Sequence, residues 1–158
     1  MNQPKERLLQ LLAITDKEAQ HLEAVTQRLL NRLPDNETQL EKELNDPQLI
    51  DTLESFTAKF SRMQDTIADK LLPVFLKKAG EETGTVIENL NRAEKLSLIT
   101  NTQDWLIGRG LRNKLVHEYI ESPHELLEAV NLAKQFVVEL IKTQKAIKSY
   151  SHERLNLG

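Results

Sequence analysis

The 158-residue chain contains no cysteine, which excludes disulfides and thiol chemistry and is compatible with a reducing compartment. Glycine and proline are scarce, with five of each, and aromatics make up only 4% of residues. Combined with a leucine-rich, charge-rich composition, this points away from turn-rich β folds and toward an all-α protein. Neither sign of charge dominates: 21 basic and 24 acidic residues leave a formal charge of −3. The chain therefore lacks the overall positive excess of a broad nucleic-acid binder, although a local basic cleft could still serve. No apolar run approaches the ~18 residues of a membrane span, and the first residues lack a signal-peptide core. These absences predict a cytoplasmic protein with no membrane partner. Also missing are internal repeats, a P-loop, a Rossmann fingerprint, a zinc motif and a nucleophile elbow. No cofactor or metal is expected.

What the chain does have is helical periodicity. A first helix is expected over Pro4 to Arg32, where Leu8, Leu12, Thr15, Ala19, Leu22, Thr26, Leu29 and Leu33 form a narrow apolar seam. The seam suits a bundle helix, with a dimeric coiled coil as the alternative. Pro34-Asp35-Asn36 breaks it, and a short amphipathic piece follows from Glu37 to Leu44. Asp46-Pro47 starts a second long helix that turns Ile50, Leu53, Phe56, Phe60, Met63, Ile67, Leu71 and Val74 inward. Pro73 is expected to kink its end, and Arg62 and Asp65 read as surface charges.

Gly80 to Gly84 forms a loop. Thr85 and Glu88 then have capping-box spacing and open a third helix ending near Ile99. Asn101-Thr102 caps the next helix. Ser122-Pro123-His124-Glu125 starts the last one, which carries Leu126, Val130, Ala133, Val137, Leu140 and Ile141 inward to about Lys148. The expected fold is an all-α, up-and-down helical bundle of four main helices plus a shorter one. It forms a single domain over residues 1–148, with a polar, mobile tail over 149–158. His21 and His124 read as solvated. Lys142, Lys145 and Lys148 form a basic stripe, read as a solvated helix end with RNA contact as the alternative.

One stretch concentrates chemistry: Arg112-Asn113-Lys114-Leu115-Val116-His117-Glu118-Tyr119. On a helix each residue turns by ~100°, so Asn113 and His117 share one face while Arg112 and Tyr119 share an adjacent one. Arg112 and His117 are ~140° apart, too far for a tight pair on one straight helix. A cleft straddling both faces, or a second subunit bringing its own copy, would unite them. This favours a homodimer with the site at the seam. Histidine suits proton transfer near neutral pH, and an arginine fork matches phosphate oxygens. Asn113 can hold an imidazole in one orientation. The set suits metal-independent RNA cleavage by attack of a 2′-hydroxyl on the adjacent phosphate, with His117 as general acid or base and Arg112 on the scissile phosphate. Gly108 and Gly110, about one turn earlier, cost the helix about 1 kcal/mol each relative to alanine. They read as openings for substrate or a second subunit, with close helix packing as the alternative.

The spacing Arg112-x4-His117-x-Tyr119 resembles the R-x4-H-x-Y signature of HEPN proteins. Asn113, Leu115-Val116 and the upstream run Asp104 to Leu111 resemble its HepT-like toxin branch. That resemblance implies a HEPN-like fold and a ribonuclease toxin with Arg112, His117 and Asn113 in the catalytic site; Arg109 and Lys114, beside them in sequence, are expected to contact RNA. It also implies a partner, an MNT-type nucleotidyltransferase antitoxin, which attaches AMP to Tyr119. The alternative within the family is a non-catalytic module that presents substrate to the nucleotidyltransferase. HepT-like proteins often carry an acid four residues after the tyrosine. Here that position is Pro123, and Glu121 is the nearest acid.

Overall fold

The computed structural model describes residues 3–155 and Leu157, apart from the side chains of residues 117–121. Among these residues every regular element is helical. Four long rods form the frame. The first is α1 (Gln3–Arg32). The second is a continuous rod of α3 (Pro47–Asp65), a π-helical turn (Thr66–Leu71) and α4 (Leu72–Lys78). The third and fourth are α6 (Thr102–Glu121) and α7 (Pro123–Arg154). Two short helices, α2 (Glu37–Glu43) and α5 (Val86–Lys95), bridge their ends. One shorter helix is expected from the sequence; the described residues contain two.

Cross-links between side chains define the direction of each rod. Arg32 pairs with Asp46 and Glu18 with Thr66, so α1 and α3 run antiparallel. Arg112 meets Asp65 and Arg109 meets Asp69, so α3 and α6 do too. Gln144 reaches Asp16 at 2.8 Å and His124 meets Glu37, which lays α7 antiparallel to α1 and closes the bundle. His124 is exposed as expected, and its two carboxylate neighbours, Glu37 first and then Glu128, push its pKa up.

Each start signal is realised. The side chains of Asp46, Thr85 and Ser122 accept from backbone N–H groups, and Thr85 and Glu88 form a reciprocal capping box; Asn36, expected only as part of a helix break, also caps α2. Asn101 caps α6 by accepting from the Asp104 N–H at 2.8 Å.

The α1 stripe is wider than a coiled-coil seam. Leu11 and Val25 are buried beside the expected positions, whereas Thr26 and Leu33 are only half-buried. A stripe of that width packs against two neighbours, as a bundle helix must. The middle rod also departs from simple periodicity. Pro73 has no N–H and in a regular α-helix would crowd the carbonyl of Asp69. The chain widens into the π turn just before it, with the Leu72 N–H bonded to the Ile67 carbonyl. That extra residue advances the register, so Phe75 and Leu76 enter the core and Val74 stays half-buried.

Two ends differ from expectation. α5 stops at Lys95 rather than Ile99. Ser97 adopts a left-handed φ of 60°, the Ser97 N–H bonds Glu94 O, and the Leu98 N–H bonds Ala93 O. This is the closure a glycine usually makes, and it tucks Leu98 and Ile99 into the core. α7 continues past Lys148 to Arg154, so the boundary at 148 does not hold as a helix end. Tyr150 packs edge-on against Phe75 at 5.2 Å, and both Ser151 and Leu157 are buried.

The π turn is braced from α1. Glu18 Oε2 accepts from the Thr66 hydroxyl at 2.9 Å, while its Oε1 is buried without a partner among the described residues. Burial pushes the Glu18 carboxyl above its ordinary 4.5, and the Thr66 hydrogen bond and the charges of Arg62 and Lys70 only partly oppose this. A carboxyl with a raised folded-state pKa favours the fold below its unfolded value and loses that contribution as pH rises through the folded one. Glu18→Gln keeps an acceptor for Thr66 and removes the buried charge. It is expected to melt higher than wild type at pH 7, with the gain shrinking toward pH 4. Thermal melts at the two pH values check the sign.

Candidate functional site

The site forms where α6 crosses the end of α3. α6 has no single apolar stripe. Trp105, Leu111 and Leu115 are buried, whereas Ile107 and Val116 are about half exposed at 48% each. The intervening polar residues therefore reach both a helix neighbour and solvent. Arg112 is half-buried, and its Nη1 donates to both carboxylate oxygens of Asp65 at 3.0 and 3.3 Å. Three residues earlier, Arg109 Nη1 lies 3.5 Å from Asp69. Two arginines at i, i+3 thus meet two aspartates at i, i+4 on the antiparallel rod.

Asp65 keeps a partly exposed side chain, as a surface charge would, but its partner is Arg112 of the adjoining α6. Its significance was invisible without knowing which helices adjoin. The only signal was that each pair, Asp65/Asp69 and Arg109/Arg112, lies about one helical turn apart and so shares a face of its helix. Among the described residues only Nη1 of Arg112 is engaged, leaving Nη2 and Nε to meet an anion. Side chains this exposed make such a pair worth no more than about 1 kcal/mol of stability. The pair orients the fork more than it holds the fold.

Beside Arg112 lies a groove of about 470 Å³ between α3 and α6. Arg112 and Asn113 form its α6 wall with Leu115 and Val116, opposite Leu53, Thr57 and Ser61 of α3. Asn113 is exposed and shares this groove with Arg112, so two of the expected catalytic residues are brought together. His117 and Tyr119 follow on the same helix, whose backbone continues to Glu121. Their side chains, like that of Glu121, lie outside the described residues.

The two expected RNA-binding residues separate. Arg109 stays beside Arg112, facing the π turn. Lys114 is exposed, ~200° of helix rotation from Arg112, and does not line the groove. Gly108 is a packing glycine: a Cβ there would come within 2.4 Å of the Phe136 ring, so α7 occupies the space read as an opening. Gly110 has nothing within 4 Å of an added Cβ and stays open.

The basic stripe on α7 is divided. Lys148 bonds Asp16 at 2.8 Å, whereas Lys142 and Lys145 border a separate groove between α7 and α1 with Val137, Val138 and Glu23. Pro123 sits at the first position of α7, where its missing N–H costs nothing, so the departure from the HepT-like acid is a helix start. Among the described residues no three His, Asp or Glu side chains gather as metal ligands, and no helix is long and apolar enough to cross a membrane. Compared with known proteins, the chain matches no family model, no curated protein and no solved structure.

Proposed function

We propose that this protein is a HEPN-type ribonuclease of the HepT-like toxin class, acting on RNA as a homodimer with each motif helix beside a shared groove. The observation that carries the reading is Arg112: a guanidinium fixed from one edge by Asp65 at the mouth of a groove, with its remaining N–H groups uncommitted among the described residues. That arrangement suits a phosphodiester, which presents two oxygens to a planar fork. Cleavage then needs one proton removed from the 2′-hydroxyl and one delivered to the departing 5′-oxygen, with charge stabilised on the phosphate in between. His117 supplies the proton transfer and Arg112 the charge. Asn113, one turn before His117, orients it. Because Arg112 and His117 diverge by ~140° on one helix, a second copy of α6 completes the set.

The resemblance supports a partner and a switch. An MNT-type nucleotidyltransferase antitoxin attaches AMP to Tyr119, two turns beyond Arg112 on α6. The added phosphate captures the arginine fork, and the nucleoside blocks the groove.

The test is cleavage of single-stranded RNA by the purified protein with a chelator present. A 2′,3′-cyclic phosphate, or the 3′-phosphate it hydrolyses to, is the expected product. Light scattering on the same sample should show a dimer. Intact RNA from a folded dimer would leave a binding module in place of a nuclease.

A further inference from the structure

The α3–α6 groove is electrically polarised along its length. At one end stand the N–H groups of Arg112 and the amide of Asn113. At the other stand Glu54 and Thr57, which offer only acceptors. Glu54 is an exposed carboxylate, and the Thr57 hydroxyl proton is spent on the Leu53 carbonyl at 2.9 Å. Glu54 lies eleven residues before Asp65, the partner of Arg112, so the two ends are roughly 16 Å apart at ~1.5 Å of rise per residue. Between them the described walls are largely apolar, formed by Ala58 and Val116 with the Ser61 hydroxyl beside them and Leu53 at the Glu54 end, and Ala58 leaves its side of the slot shallow. A ligand that matches has an anion at one end, N–H donors at the other and a flat apolar body between. A nucleotide has that form.

Among the described residues this end offers only acceptors, and acceptors alone discriminate among the bases. Guanine presents two neighbouring donors on one edge, N1–H and the N2 amino group, which a carboxylate can accept side by side. Adenine and cytosine place a ring acceptor next to their amino group, and uracil flanks its one N–H with two carbonyls. Each of these three turns a lone pair toward Glu54.

Resting on the reading of Arg112 as the phosphate-binding group, we propose that this groove is a nucleobase subsite selective for guanine. Glu54 and Thr57 accept from the base edge, and the adjoining phosphate sits on Arg112.

The test is methyl NMR of the full-length protein titrated with 3′-GMP, 3′-AMP, 3′-CMP, 3′-UMP and inorganic phosphate in turn. The expected result is saturable shifts at the methyls of Leu53, Ala58 and Val116. 3′-GMP should bind roughly tenfold more tightly than the other nucleotides, the scale of a hydrogen bond to a charged group. Glu54→Gln, at an exposed position, should fold normally and erase that preference. Shifts located elsewhere, equal affinity for all four nucleotides, equal shifts with phosphate alone, or a guanine preference surviving in Glu54→Gln would each overturn the subsite. So would the absence of any shift, which would leave the groove to a ligand of another class. The outcome is separable from the nuclease reading. Guanine binding without RNA cleavage keeps the subsite and removes the enzyme, whereas cleavage without nucleotide shifts in the groove does the reverse.

Discussion

Replacing His117 by alanine is expected to slow RNA cleavage by about 10²–10⁴-fold, the usual contribution of a positioned proton-transfer group. The loss should fall on kcat, because alanine removes an interaction that matters mainly in the transition state. Arg112→Lys should behave differently. An ammonium keeps the positive charge and can still pair with Asp65, but it cannot offer two parallel N–H bonds to a phosphate. Its effect is therefore expected in both KM and kcat. The measurement is single-turnover cleavage of a labelled RNA in chelator across pH 5 to 9, with circular dichroism to confirm folding. Undiminished activity in a folded His117→Ala protein would remove histidine from the mechanism.

The sequence was most informative where one local signal sufficed. The caps at Asp46, Thr85 and Ser122 each needed only a side chain and its own next turn, and each is present. Most inward positions of the long helices were legible for the same reason, although Ile50, Val74 and Ile141 are only half-buried. Features that depend on two elements meeting were not. Asp65 and Asp69 look like ordinary surface acids until α6 is packed against them. Gly108 reads as an opening until Phe136 is found over it.

The early end of α5 was hidden for another reason. Ser97 takes a left-handed turn that glycine normally announces, as Gly80 does at the end of α4 with φ 83°. The π turn escaped because Pro73 signals a disturbance without saying which way the helix will yield. For the site, the sequence supplied Arg112 and Asn113 as neighbours. The structure added the carboxylate behind the arginine and the groove in front of it.

The same packing sets the largest expected effect on stability. Trp105, the only tryptophan, is completely buried at the start of α6, edge-on to Phe136 at 5.2 Å. Phe136 in turn lies edge-on to Phe60 at 6.2 Å, and Phe60 stacks on Phe56 at 5.5 Å. This chain of rings joins α6, α7 and α3, so it fixes the height at which Arg112 meets Asp65. Trp105→Ala removes the ring at its end and is expected to cost about 3–5 kcal/mol. For a domain of this size that lowers Tm by roughly 10 °C.

Trp105→Phe should cost much less, since it keeps an edge-on ring and removes an indole N–H that has no acceptor among the described residues. Gly108→Ala tests the same contact from the other side. Alanine gains about 1 kcal/mol of helix propensity, but its methyl would meet the Phe136 ring at 2.4 Å, in a core where overpacking costs about 1–3 kcal/mol. A net loss of stability is expected there. Gly110→Ala, with nothing within 4 Å, should instead be stabilising by up to about 1 kcal/mol. Chemical denaturation followed by circular dichroism ranks the four variants without relying on tryptophan fluorescence. If Gly108→Ala proved as stable as Gly110→Ala, Phe136 would have room to move, and the ring chain could not be what aligns α6 with Asp65.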